Sequence, residues 1–169
     1  MVINPITADT FIKEYSLFLH SAAQACGCPE DLAFLEILAF GRDAYLSDKT
    51  MLEEFKESYE KMPDWVYESI SKLQVSNWVY LKDTKKYSLF IEANESAAYA
   101  VQGLTDSIKD ILGGASVYVK TGIFPLGDKF VCDGIITSVA HLGDNIRMSY
   151  NNAYQGLKNN GKFHKKPQA

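Results

Sequence analysis

No apolar run in this 169-residue chain approaches the roughly 18 residues that a membrane-crossing helix needs. Cysteine is scarce: three residues, an odd number that leaves at least one thiol outside any intrachain disulfide. A reducing, cytoplasmic location is therefore expected. The opening stretch MVINPITADTF has neither a basic n-region nor an apolar h-region, so no signal peptide is expected. Phosphate loops are missing too, because GLTDSIKDILGG has the wrong glycine spacing for either nucleotide fingerprint. Metal motifs are equally thin. Cys26 and Cys28 with His20 supply three ligands bunched at a helix end, and Asp128, Asp133 and His141 lack a ligand spacing. No metal and no cofactor is expected.

What is present is an ordinary globular composition, 47% apolar and 22% charged, long enough to bury a core without staples. The net charge of −4 is unevenly spread. Residues 1–75 hold 6 basic and 13 acidic side chains, and residues 76–169 hold 11 and 8. An acidic front and a mildly basic back imply two structural parts. The C-terminal KNNGKFHKKPQA carries four lysines and no acid, and residues 161–169 read as a flexible basic tail.

The front part reads as helical. Thr7 is placed to cap a helix whose Phe11, Tyr15, Phe18 and Ala22 share a face, with Gly27 as its stop. Pro29 suits the first turn of a second helix through EDLAFLEILAFGRDAY. A third begins near Asp48 and Thr50. Asp64 caps a fourth, after the break at Pro63. Leu35, Leu38, Phe55 and Trp65 are expected in one helical core.

From Ser76 the texture becomes strand-like. NWVYL and KYSLFIEA are short, aromatic and β-branched, and the polar KDTK between them predicts a hairpin. AAYAVQGL reads as a third strand, and TDSIKDILGG as a short helix with Thr105 as cap and Gly113–Gly114 as stop. SVYVKTGIF and KFVCDGIITSVAHLG add further strands. Asp144 to Gly161 bounds a last helix bearing Ile146, Tyr150, Ala153 and Leu157. The expected fold is α+β: an N-terminal helical bundle (1–75) packed on a small, mainly antiparallel sheet, with a C-terminal helix, 76–160.

The stretch GIFPLGDKFVCDGII holds both candidate aspartates. It reads as a hairpin turning at Gly127, followed by a bulge or turn at Asp133-Gly134. The succession WVYLKDTKKYSLFIE, AYAVQGLTDSIKDIL and YVKTGIFPLGDKFVCDGIITS, within residues 76–140, resembles a strand-rich C-terminal domain of uncharacterised bacterial proteins. That domain has no assigned activity, so the resemblance implies strands and turns and transfers no functional residue.

Three functions follow as expectations. The first is a non-enzymatic intracellular interaction or regulatory protein acting through a protein-binding surface, since no convergent catalytic set is visible. The second is a nucleic-acid-binding module on the basic, aromatic C-terminal half, with Trp78, Tyr80, Lys85, Lys86 and Tyr87 as binding residues. Alternation puts Trp78 and Tyr80 on one strand face and Val79 and Leu81 on the other, and one of those faces must be core. The third is an enzyme whose site is dispersed in sequence. No membrane partner is expected.

Overall fold

The computed structural model describes residues 1–114 and 116–168. The chain is α+β, with helices first, then a mixed sheet and a C-terminal helix. It divides into two compact units, Ile6–Lys72 and Met1–Pro5 with Leu73–Ala169.

The helical unit comprises α1 (Pro5–Ala25), α2 (Phe34–Ser47), α3 (Thr50–Ser58) and α4 (Asp64–Ser71). Helix α2 starts at Phe34, later than Pro29 predicts. The Glu36 carboxylate accepts the Ala33 amide at 2.8 Å and closes the first turn there. Its buried stripe is Leu38, Gly41, Arg42 and Tyr45, a helical spacing. At Gly41 an added Cβ would lie 1.9 Å from the Leu19 carbonyl oxygen, so the absent side chain lets α2 meet the backbone of α1. Phe18 packs edge-on to Tyr45 at 5.1 Å and lies 5.5 Å from Phe55. The expected four-residue core needs correction. Leu38 is buried and Phe55 half-buried, but Leu35 is 64% exposed and Trp65 37% exposed. Leu35 shares the Leu38 face one turn earlier, in the opening turn of α2. Helical phase puts it on the right side; position at the helix end leaves it in water.

The second unit contains β1 (Gln74–Asp83), β2 (Ser88–Glu92), β3 (Ala98–Gln102), α5 (Ile108–Leu112), β4 (Val117–Leu126), β5 (Lys129–Cys132), β6 (Ser138–His141), α6 (Asp144–Asn159) and β7 (Phe163–His164). Strand β1 pairs antiparallel with β2 and β2 with β3. Strand β3 runs parallel to β5, β5 antiparallel to β4, and β4 antiparallel back to β1. The five strands thus close on themselves in the order 1-2-3-5-4-1, with α5 between β3 and β4. That is the connectivity of an OB-type Greek-key barrel. The sheet is mainly antiparallel as expected; its closure is the added finding.

Alternation sorts the side chains. Trp78, Tyr80, Phe90, Val101, Val117, Val119, Ile123 and Cys132 fill the interior, and Ile108 and Leu112 of α5 join that cluster. Helix α5 is capped by Ser107, whose hydroxyl accepts the Asp110 amide, and not by Thr105; Gly113 ends it with φ +74°. On the outside of β1, β2 and β3, Leu81, Leu89, Ile91 and Ala98 form a second cluster with Tyr154 and Leu157 of α6. Helix α6 therefore lies over the outer β1–β2–β3 face, and the Tyr150 hydroxyl donates to the Ala93 carbonyl at 3.0 Å. The expected basic tail is pinned over part of its length. Phe163 and His164 pair parallel to Ala98 and Tyr99, and Lys166 meets Asp128 at 3.1 Å. Ala169, its last residue, lies outside the described residues.

Candidate interaction site

The outgoing half of GIFPLGDKFVCDGII builds the site. Strands β4 and β5 form the expected hairpin, with Leu126 opposite Lys129 and Phe124 opposite Val131. Gly127 takes φ +57° at the first position of the two-residue turn, where a side chain would be strained. After Cys132 the chain leaves the ladder and rejoins it: Ile123 faces Cys132, but Lys120 faces Ser138. Three steps back along β4 thus match six steps forward on the outgoing chain. The excess is a bulged loop, and Asp133 holds it. Its Oδ1 accepts the amides of Ile135 at 3.0 Å and Gly122 at 3.2 Å, and the Thr121 hydroxyl at 3.1 Å. Asp133 is 5% exposed. Its acceptor oxygen is engaged by donors of the loop and of β4, which is a structural task and the bulge role expected of Asp133-Gly134.

Beyond the bulge, β6 runs antiparallel to the first half of β4, with Val117 opposite His141 and Val119 opposite Val139. All four of its residues are exposed. The Leu142 amide donates to the Ser116 carbonyl at 3.2 Å. In an antiparallel ladder inward and outward backbone groups alternate, so Val139 and His141 turn their N–H and C=O groups away from β4. Among the described residues β6 pairs only with β4, and its outer edge is open.

At the C-terminal end of β6 lies a cleft of about 750 Å3, bounded by Leu81, Lys82, His141, Asp144, Arg147 and Met148 among others. Arg147 and Asp144 are joined at 3.0 Å on consecutive turns of α6. The Ser116 hydroxyl at the cleft wall donates to the Leu81 carbonyl at 2.7 Å, so it is engaged with backbone and not presented to a base. The cleft thus presents the Lys82 ammonium, the Arg147–Asp144 ion pair and the Met148 side chain together.

The residues singled out from sequence go to different places. Trp78 and Tyr80 are 0% and 1% exposed. The Trp78 indole donates to the Thr121 carbonyl at 3.0 Å, and the Tyr80 hydroxyl to Asp83 at 2.9 Å. Both are barrel interior and offer no face to a base, which corrects their assignment as binding residues. Burial, with the Asp83 hydrogen bond, raises the Tyr80 phenol well above its ordinary pKa. Lys85, Lys86 and Tyr87 sit in the turn between β1 and β2, the lysines exposed and Tyr87 half-buried. Asp128, at the hairpin tip, is held below the usual carboxylate range by its bond with Lys166. Asp128, Asp133 and His141 occupy a turn, a bulge and a cleft wall, and do not form one site. Cys26 and Cys28 are free thiols, and no group of three metal-ligating side chains occurs among the described residues. Arg147 and the open edge of β6 went unnoticed in the sequence, although SVAH was read within a strand-forming stretch. None of the described helices is long and apolar enough to cross a membrane.

The barrel and the open strand define the class: a small OB-type Greek-key barrel carrying an overhanging edge. No family model, curated protein or solved structure matches the chain.

Proposed function

We propose that this chain is a non-enzymatic interaction protein that binds an extended segment of a partner protein along the outer edge of β6. The observation that carries the reading is the outward-facing backbone of Val139 and His141 on a strand exposed along its whole length. Edge strands are ordinarily blunted by proline, lysine or a covering loop, and β6 is protected by its shortness alone. An added strand satisfies those backbone groups and gains affinity from main-chain hydrogen bonds. Specificity comes from the neighbouring cleft. Lys82 favours an acidic side chain on the incoming segment, Arg147 being already paired with Asp144, and Met148 an apolar one beside it.

The test is selection of linear peptides on the immobilised chain, followed by affinity and amide-exchange measurements. Val139→Pro removes one outward N–H at a position where an edge strand tolerates proline, so the fold should persist. Selected peptides should combine acidic and apolar residues, slow exchange at Val139 and His141, and lose at least about tenfold in affinity for Val139→Pro, equivalent to one or two backbone hydrogen bonds. Peptides that bind Val139→Pro as well as the wild type, leaving exchange along β6 unchanged, would overturn the proposal.

A further inference from the structure

We infer that the groove between α1 and α3 binds a basic amphipathic helix of a partner protein. The groove lies wholly within the helical unit and stands independently of the β6 edge.

Two helices turn the same pattern toward one cleft of about 220 Å3. Helix α1 lines it with Phe18, Ser21, Ala22 and Ala25, and α3 with Met51, Glu54, Phe55 and Ser58. Each set follows the spacing i, i+3, i+4, i+7, the stripe that a helix presents to a neighbouring helix. Phe18 and Phe55, with ring centroids 5.5 Å apart, make an apolar floor. Ser21, Ala25, Glu54 and Ser58 are exposed, so the groove is open to water. The exposed α1 rim carries nothing larger than a serine, which lets a third backbone come close. The volume is below the roughly 300–1,000 Å3 of small-molecule pockets, and suits apolar anchors projecting from a larger partner.

Charge selects the sign of that partner. The unit Ile6–Lys72 holds 13 acidic and 6 basic side chains. Lysine and arginine are absent from residues 14–41, which include the groove-lining half of α1. Glu54 supplies a carboxylate to the groove wall, and Glu53 and Glu57 are exposed on the same helix. Lys56, the only base of α3, is turned to Asp64 at 3.0 Å and to the Met62 carbonyl. Ala25 and Ser58 are the last residues of their helices, so the partial negative charge of two helix C-termini also opens onto the groove. An acidic helix is repelled by each of these groups. A basic one gains a partner for Glu54 and for both dipoles, while its apolar stripe covers Phe18, Met51 and Phe55. A second copy of the unit brings the same negative charge and is disfavoured as the occupant.

The probe is a synthetic helix of about 18 residues, five turns, with leucine at i, i+3, i+4 and i+7 and lysine on the remaining face. Its affinity for the full chain, read by fluorescence anisotropy, is compared with that of a glutamate-faced version and of a scrambled sequence of the same composition. The lysine-faced helix should bind, and amide exchange should slow along residues 18–25 and 51–58. Glu54→Lys reverses the rim charge and should weaken binding at least about fivefold. Ala25→Trp fills the exposed end of the groove and should weaken it at least about tenfold, as blocking an anchor pocket does. Melting curves confirm that both variants are folded, and Val139→Pro should bind the helix as the wild type does. Equal affinity for the glutamate-faced or the scrambled peptide would overturn the inference. So would wild-type affinity in both groove variants, or absence of binding at roughly 100 μM peptide. A self-dimer that Ala25→Trp dissociates would seat a second copy in the groove and overturn it equally.

Discussion

The Asp133 carboxylate accepts the Gly122 amide at 3.2 Å, joining the start of the bulge to the middle of the strand that the bulge departs from. Gly122 is glycine for the same reason. A Cβ there would sit 2.3 Å from Asp133 Oδ2 and 2.8 Å from the Leu73 side chain. Asp133→Ala leaves buried donors without their acceptor and should cost about 3 kcal/mol, whereas Asp133→Asn keeps an acceptor oxygen and should cost less. Gly122→Ala should cost about 1–3 kcal/mol as an overpacked site. Urea unfolding measures all three; an unchanged midpoint for Asp133→Ala would remove the carboxylate from its structural role.

Leu35 and Leu38 make an internal control in one helix. Leu38→Ala should cost about 2–5 kcal/mol as a core truncation. Leu35→Ala, in water at the helix end, should stay within about 0.5 kcal/mol. Equal losses in chemical denaturation would contradict the burial assigned to the two leucines.

Alkaline pH should destabilise the fold through buried phenols. Burial, with the nearby Tyr67, pushes Tyr45 up to about 12, and burial with Glu92 pushes Tyr99 up to about 12. An unfolded tyrosine ionises near 10. Between those values the unfolded chain has released protons that the folded chain retains, so stability falls as pH rises through that window and is fully present below it. Melting temperature against pH, read beside phenolate absorbance, should show the drop starting near pH 10 and a late-ionising set of tyrosines.

The three thiols should separate kinetically. Cys26 is exposed and Cys28 partly so, whereas Cys132 is 1% exposed with its sulfur 3.4 Å from the Thr121 hydroxyl. An aromatic disulfide reagent should label two thiols rapidly and the third only on unfolding. Rapid labelling of all three would place Cys132 elsewhere.

Local chemistry was readable in the sequence where a residue has few alternatives. Gly127 and Asp128 announced a turn, Asp133-Gly134 a bulge, and Gly113 a helix stop, because each is governed by its own backbone, whereas Pro125, read as part of the turn, lies in the ladder opposite Phe130. The closed barrel was not readable. Closure depends on the parallel contact of Val101 with Phe130, far apart in the chain and marked by no residue type. The burial of Trp78 had a signal that alternation obscured. Trp78, Val79, Tyr80 and Leu81 form an unbroken apolar run, the mark of a strand covered on both faces, and all four are buried. The open edge of β6 was least visible, since it is a property of what fails to pair and no side chain encodes it.

A closed barrel is a ring of strands and has no end at which another chain can be added. The loop held by Asp133 changes that count. It lets one outgoing stretch of chain first complete the ring as β5, then step aside and continue past it as β6. Shortening the loop until the two strands fused would leave no slack for the step, and the overhang would be lost while the ring survived. The open edge is thus carried by a few residues of surplus chain, tied to the wall by the bonds of Asp133 to Thr121 and Gly122.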